Sequence, residues 1–331
     1  MRRMTAQLKP IPDLRATELL GFCKAMADQV RLNILSILDK ESFGVLELCE
    51  ILQLKQPALT HHLKLLTDAG LLTKRREGNS IFYSRNYHGA GNFANLQQTL
   101  FAELSTVSLS EEIAERKQRL QRKRAHLSEQ FFQQHNEQFS ANQELVAPIT
   151  AYAEKLNTLL EERAADTDSK SLKVLEVGPG EGEFLPYLAK LFKHVDALDN
   201  SDKMLDSARQ YCDSKKISGI SFISGDTSSD QLNEEFYDVV VVNMVLHHNP
   251  SPVALLQDIV RVMKSGGSLF ISELTAHQQD WVRDACGDIW LGFKAEDLSV
   301  TAEIAGLQEG TSQYLAQRNG FVVQIREFIK P

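Results

Sequence analysis

The sequence predicts two fold classes in series: a small α+β module, a long helical connector, and a larger α/β module built on a Rossmann-like sheet. Three observations predict this. Residues 1–90 hold 13 Lys and Arg against 9 Asp and Glu, whereas residues 91–331 hold 23 against 35, so a mildly basic part is joined to an acidic one within a chain of net charge −8. Hydrophobic residues recur at helical period through the first 70 positions and then give way to a short strand pair. From about residue 171 the pattern becomes strand, glycine-rich turn and helix, repeated. At 331 residues there is length for two independent cores.

In the first module (residues 1–90), "ATELLGFCKAMADQVRLNILSILD" has helical period, and Asp28 is placed to cap a second helix after the first. "VLELCEIL" (45–52) is a short third helix. "QPALTHHLKLLTDAG" (56–70) is a fourth, with Pro57 suited to its first turn and Gly70 to its stop. Its stripe of Leu59, Leu63 and Leu66 faces a core, while Gln56, Thr60, His61 and Lys64 point the other way. "LLTKRREGNSIFYSRN" then reads as two strands about a turn, with Lys74, Arg75, Arg76 and Arg85 along them. Helix, turn, helix and basic hairpin make a winged helix-turn-helix. Residues 56–69 would enter the major groove of double-stranded DNA, with Gln56, Pro57, Thr60, His61 and Lys64 foremost, and Arg75 and Arg76 of the wing would meet the backbone or minor groove.

"ADQVRLNILSIL", "LKQPALTHHLKLLTDAGLL" and "RREGNSIFYS" resemble the ArsR family of bacterial repressors over roughly residues 16–88. The resemblance implies a homodimer in which each fourth helix reads one half-site of an inverted-repeat operator. Arsenical sensing in that family uses two near-adjacent thiolates on the third helix, but here "ELCE" offers Cys49 with Glu50 beside it. His88 is likewise without a matched set of ligands, so no metal is expected. The four cysteines (Cys23, Cys49, Cys212, Cys286) are too widely spaced for a disulfide framework or zinc site and read as buried thiols. "MRRMTAQLKPIPDL" has no apolar run behind its basic residues, and "VVVVNMVL" is far too short to cross a bilayer. A cytoplasmic protein with no membrane partner is expected.

Residues 91–165 are polar, with Pro148 the single proline and no glycine after Gly91, and have helical pattern. "RKQRLQRKRAHL" puts six basic residues between 116 and 124, read as a solvated helix face. Leu100, Phe101, Leu104 and Ile113 are expected to form a dimer seam, so residues 91–124 count as dimerisation and connector segment. Phe131, Phe132, Phe139 and Tyr152 lie on helical faces expected to cap the following domain, which is taken to begin at residue 125, and "ERAADTDSKS" is a polar linker leading into its sheet.

"SLKVLEVGPGEGEFLPYLAKL" opens that sheet as strand, turn and helix, with Gly178, Gly180 and Gly182 spaced G-x-G-x-G. A dinucleotide fingerprint needs its third glycine at 183, where Glu183 stands. Glu176 at the strand end would repel a pyrophosphate, but suits the ammonium and sulfonium of S-adenosylmethionine. "VDALDNSDKMLDSAR" is a strand ending in Asp199, then a helix capped by Ser201, and that acid is spaced to accept from ribose hydroxyls. "ISFISGDTSSDQL" ends a strand at Asp226 and Thr227. "FYDVVVVNMVLHHNPSP" is a strand buried on both faces, followed by Asn243, His247 and His248. "VALLQDIVRVMKSGGSLFISEL" gives helix, Gly-Gly turn and strand, and "GTSQYLAQRNGFVVQIREFI" an antiparallel hairpin about Asn-Gly.

"EVGPGEG", "ALDNS", "GDT", "VLHH" and "VMKSGG", in that order, resemble a class I S-adenosylmethionine-dependent methyltransferase over roughly residues 125–331. The resemblance implies a seven-stranded sheet with a terminal antiparallel hairpin. It also implies that Glu176, Gly178, Gly180 and Gly182 hold the methionine moiety and form the turn, that Asp199 with Asn200 meets the ribose, that Asp226 and Thr227 meet the adenine, and that Asn243 approaches the sulfur. His247 and His248 are expected to line the pocket rather than act as base or metal ligands, and no catalytic residue is assigned. The strand ending "NMVLHH" lacks the [DN]PP[YF] of enzymes that methylate DNA amino groups, and residues 276–298 offer His277, Trp281, Arg283, Asp288, Trp290 and Phe293 to a substrate pocket. Repressors of this kind fused to such a domain resemble regulators of the methionine cycle that respond to S-adenosylhomocysteine. Two functions stay open: a repressor whose operator affinity depends on S-adenosylhomocysteine or S-adenosylmethionine, or a small-molecule methyltransferase that controls its own operon.

Overall fold

The computed structural model describes residues 14–39, 41–77, 80–87, 93–165 and 169–331, with side chains except at 77 and 125–141. His88, the hairpin's Gly78 and Asn79, the first 13 residues and the side chains of Phe131, Phe132 and Phe139 lie outside the described residues. The chain divides into two compact units, residues 1–120 and 121–331.

The first unit opens with α1 (Leu14–Met26) and α2 (Gln29–Ile37). Asp28 separates them as expected: extended at φ −162°, it accepts from the Arg31 amide, a cap worth about 0.5–2 kcal/mol. A two-residue strand, β1 (Phe43–Gly44), leads into α3 (Val45–Leu52). Glu47 reaches back to the Gly44 amide at 2.7 Å, satisfying a donor that the start of α3 leaves over. α4 (Gln56–Asp68) buries Leu59, Leu63 and Leu66 completely and ends before Gly70, whose φ of +74° no L-residue adopts cheaply. β2 (Leu72–Glu77) and β3 (Ser80–Arg85) pair antiparallel, and β1 adds to the far side of β3.

α5 (Ala94–Thr106) and the start of α6 (Glu111–Val146) complete this core. Phe101, Leu104 and Ile113, expected at a dimer seam, are buried in the core of this unit within the single chain, where α5 packs on α2, and Leu100 is half-buried against that core.

In the second unit α7 (Ala153–Ala164) precedes a seven-stranded sheet. Its strands are β4 (Lys173–Val177), β5 (His194–Asp199), β6 (Ile220–Ser224), β7 (Tyr237–Asn243), β8 (Met263–Leu274), β9 (Gln308–Ala316) and β10 (Val322–Ile329), in the order β6-β5-β4-β7-β8-β10-β9. β10 alone runs against the direction of the other six strands. Val239, Val240, Val241 and Val242 are all buried, as strands covered on both faces require. Helices α8 (Leu185–Leu191), α9 (Asp202–Ser214), α10 (Pro252–Val262), α11 (Trp281–Cys286) and α12 (Ala295–Ile304) fill the crossovers and the insertion before the hairpin. Ser201 caps α9 by accepting from the Met204 amide.

Two local readings change. Gly266 and Gly267 do not turn the chain before β8 but lie inside it, Gly266 at φ +76° and donating to Lys330, where the pairing of β7 with β8 shifts register. β6 stops at Ser224, so Asp226 and Thr227 stand in the turn after it. The chain runs from β4 outward through β5 and β6, then returns to the other side of β4 as β7. The crevice of such a sheet lies at the carboxyl ends of the strands on either side of that reversal.

Candidate functional site

On α4 the period of 3.6 separates the residues cleanly. Gln56, Pro57, Thr60, His61 and Lys64 are exposed, opposite the buried leucines. His62 lies a quarter-turn aside, half-buried, its Nδ1 3.7 Å from the capping Asp28 carboxylate. On the hairpin Lys74 and Arg76 are exposed and Arg75 is half-buried.

Arg85 does not belong with them. It is buried, donating to the carbonyls of Leu35 and Phe101, to Asp39 Oδ1 at 2.5 Å and to Ser105, so it ties α2, α5 and β3 together. Spacing alone placed it on the wing, while its partners are 16 to 50 residues away in sequence.

In the second unit β4, β5 and β7 bring three expected residues to the same end of the sheet. Glu176, 1% exposed, sits one residue before the end of β4. Its Oε1 accepts from Asn243 Nδ2 at 3.2 Å, while its Oε2 and the Asn243 Oδ1 are buried with no hydrogen-bond partner. Burial pushes the Glu176 carboxyl up to about 8, against the lowering by Asn243. Burial, then the charges of Glu176, Glu183 and Glu273, also push up the nearby Tyr152 hydroxyl.

The turn after β4 is bent by its glycines. Gly178 (φ +68°) donates to Leu198, and Gly182 (φ +85°) packs so closely on α9 that a Cβ would stand 3.0 Å from the Ala208 Cα. A Cβ at Gly180 would meet nothing within 4 Å, so the middle of the turn borders open space. At the end of β5, Asp199 accepts from the Ser201 amide at 2.8 Å. Burial pushes it up to about 6 despite the backbone bonds from Ser201 and Asn200 that lower it. Asn200 itself is exposed.

The adenine-side residues are less converged. Asp226 accepts from the Ser228 amide and hydroxyl, and Thr227 turns its hydroxyl to Asp258 on α10.

Comparison with known proteins bears on both units. The profile of bacterial regulatory proteins of the arsR family matches residues 28–74. The arsenical resistance operon repressor of Staphylococcus aureus is 39% identical over 70 residues, 21% of this chain and 67% of that protein. The chain belongs to the arsR family.

This arsR-family chain continues into a second profile, a methyltransferase domain, over residues 175–271. A ubiquinone biosynthesis O-methyltransferase of Shewanella sp. (strain ANA-3) is 28% identical over 120 residues, which cover 36% of this chain and half of that enzyme. Among solved structures, magnesium protoporphyrin IX methyltransferase from Synechocystis PCC 6803, with bound SAH, superposes with a TM-score of 0.50 at 18% identity, over 62% of this chain and all of that one. That likeness is one of fold.

One constellation escaped the sequence reading. His247 is fully buried, with Nδ1 2.7 Å from Glu273 Oε1 on β8, and Asp288 stands beyond its other nitrogen. Burial opposes its positive charge, but the Glu273 and Asp288 carboxylates outweigh that and hold its pKa above the ordinary imidazole range. Burial, and then the His247 charge, push His248 the other way. The partners lie 26 and 41 residues further along, a distance at which no local pattern signals them. Of the aromatic residues offered to a substrate pocket, Trp290 and Phe293 are buried, Trp290 Nε1 donating to the Asn249 carbonyl, and Trp281 is exposed. Among the described residues no helix is long and apolar enough to cross a membrane.

Proposed function

We propose that the chain is a DNA-binding transcriptional repressor whose methyltransferase-like domain binds S-adenosylhomocysteine or S-adenosylmethionine as an effector. It would act as a homodimer, with genes of the methionine cycle as its targets. The observation that carries the ligand half is the pair of partnerless buried oxygens on Glu176 and Asn243, beside a glycine turn open at Gly180. A buried carboxylate without a counter-charge is costly, and an α-ammonium group relieves that cost. In this reading Gly178, Gly180 and Gly182 let the backbone approach the methionine moiety, Asp199 and Asn200 hold the ribose, Asp226 and Thr227 border the adenine, and Asn243 faces the sulfur side. The family and the exposed face of Gln56, Pro57, Thr60, His61 and Lys64, with Arg75 and Arg76 on the wing, support the DNA half.

The rival is an active methyltransferase on a small molecule, with the DNA module regulating its own operon; the likeness to an O-methyltransferase favours it. Methyl transfer from a sulfonium is an in-line displacement, so such a site chiefly positions its partners. One experiment separates the two. Operator DNA is titrated at fixed salt with no ligand, with S-adenosylhomocysteine and with S-adenosylmethionine, because salt alone shifts DNA affinity. An effector must shift the midpoint by about fivefold or more, and operator must change ligand affinity by the same factor. If neither ligand moves the midpoint while labelled methyl groups reach an acceptor, the enzyme reading replaces the regulatory one.

A further inference from the structure

We propose that His247, His248 and Asp288 form a binding site for one divalent first-row transition-metal ion of the zinc class. This departs from the expectation of no metal and does not depend on the regulatory reading above.

Among the described residues these three offer ligand atoms that all lie within 4.8 Å of one another. Asp288 Oδ1 is 3.9 Å from His247 Nε2 and 3.9 Å from His248 Nδ1. Both separations are too long for hydrogen bonds, and that oxygen, on a residue 5% exposed, is buried without a hydrogen-bond partner. Donors sharing a tetrahedral zinc at ~2.0–2.2 Å stand about 3.4 Å apart, so the two 3.9 Å separations close by about 0.5 Å each, and the two imidazole nitrogens, within 4.8 Å of each other, by at most about 1.4 Å.

The surroundings are those of a ligand set rather than of a loose polar cluster. Glu273 Oε1 holds His247 Nδ1 at 2.7 Å while the same carboxylate accepts from the His247 and Leu274 amides. With Nδ1 held as donor to Glu273, Nε2 is the nitrogen that faces Asp288 and would give up its proton to an entering ion, the carboxylate–histidine arrangement that orients metal-bound imidazoles. The backbone locks the two segments together, since the Ile289 and Trp290 amides both donate to the His247 carbonyl. His248 Nδ1 also lies 3.4 Å from the Gly287 carbonyl, a weak contact that an ion would displace, and its Nε2 is 3.5 Å from the Gln143 side-chain amide.

Two imidazoles and one carboxylate suit Zn(II), Co(II), Mn(II) or Fe(II) rather than Mg(II) or Ca(II). Three protein ligands leave a fourth position for water or an oxygen ligand. The site follows Asn243 by four residues at the same end of the sheet.

Full-length protein is stripped with a chelator, then titrated with Zn(II) against a chromogenic competitor and, separately, with Co(II). One Zn(II) per chain with a Kd below about 1 µM is expected. Asp288→Asn should weaken it at least about a hundredfold and Glu273→Gln about ten- to a hundredfold, both keeping wild-type circular dichroism. Wild-type Co(II) protein, which needs no variant, should give visible ligand-field bands without near-ultraviolet thiolate charge transfer. A Zn(II) Kd above about 100 µM overturns the proposal. So does wild-type affinity in both Asp288→Asn and His248→Ala, or a thiolate band that Cys286→Ser removes, which would assign the ion to the neighbouring cysteine.

Discussion

On α4 the side chains proposed to read DNA stand in water, and the leucines behind them are fully buried; at the end of β4 the reverse holds, with Glu176 and Asn243 buried and an oxygen of each left over. An exposed polar face takes no part in folding, so its loss should cost binding alone. A buried, unsatisfied polar pair is paid for by the rest of the core, so there ligand affinity, protonation and stability move together. Each function is therefore vulnerable in a different way.

The contrast breaks most sharply at Arg85, a basic hairpin residue that is not exposed. Arg85→Met leaves Asp39 without its cation and several acceptors without a donor, and should cost roughly 3 kcal/mol of stability in denaturant unfolding. A loss within 0.5 kcal/mol would return Arg85 to the surface set. On α4, His61→Ala with Lys64→Ala should weaken operator binding by ~1–3 kcal/mol per contact, while the melting temperature stays put. Unchanged gel shifts in the double variant would move the groove-facing surface elsewhere.

In the pocket, Asp199→Ala removes a charged acceptor proposed for the ribose. Titration calorimetry should register about ten- to a thousandfold weaker binding of either adenosyl ligand; wild-type affinity would put the ribose anchor on another residue. The smallest effect is the most diagnostic of burial. Glu176 keeps its proton in the folded state up to about 8 against an ordinary 4.5. It therefore favours folding fully below about 4.5, a contribution lost as the pH rises through about 8. An ammonium ligand needs the ionised form, so its affinity should rise about tenfold from pH 6 to 7, where the ligand amine stays protonated. Glu176→Gln should flatten that slope, and a slope that persists in the variant would assign it to another group.

What the sequence disclosed follows the same division. Asp28, Ser201, the Asn-Gly hairpin before Gly320 and the full span of α3 were legible because a cap, a turn or a helical period is written within a few residues. Glu176 was legible as a misfit, a carboxylate where a phosphate site would forbid one. Arg85, the burial of Phe101, Leu104 and Ile113, and the meeting of His247 with Glu273 and Asp288 were not. Each depends on partners brought together by the tertiary fold, and the same residues in another topology would be surface charge, interface or loop. β1 was missed for a simpler reason: two residues carry no period.

Gly178 is bare for a reason beyond its φ: a Cβ there would stand 2.5 Å from Val245 Cγ2. Val245 is two residues before His247, so the bend that follows β4 and the loop that follows β7 are seated against each other like cog and pawl. A side chain added at 178 must displace the Val245 side chain or the loop that carries it. A larger residue at 178 therefore needs trimming at 245 and still carries the strain of its φ: Gly178→Ala should lower the melting temperature, and adding Val245→Ala should recover only the part of that loss that comes from the clash.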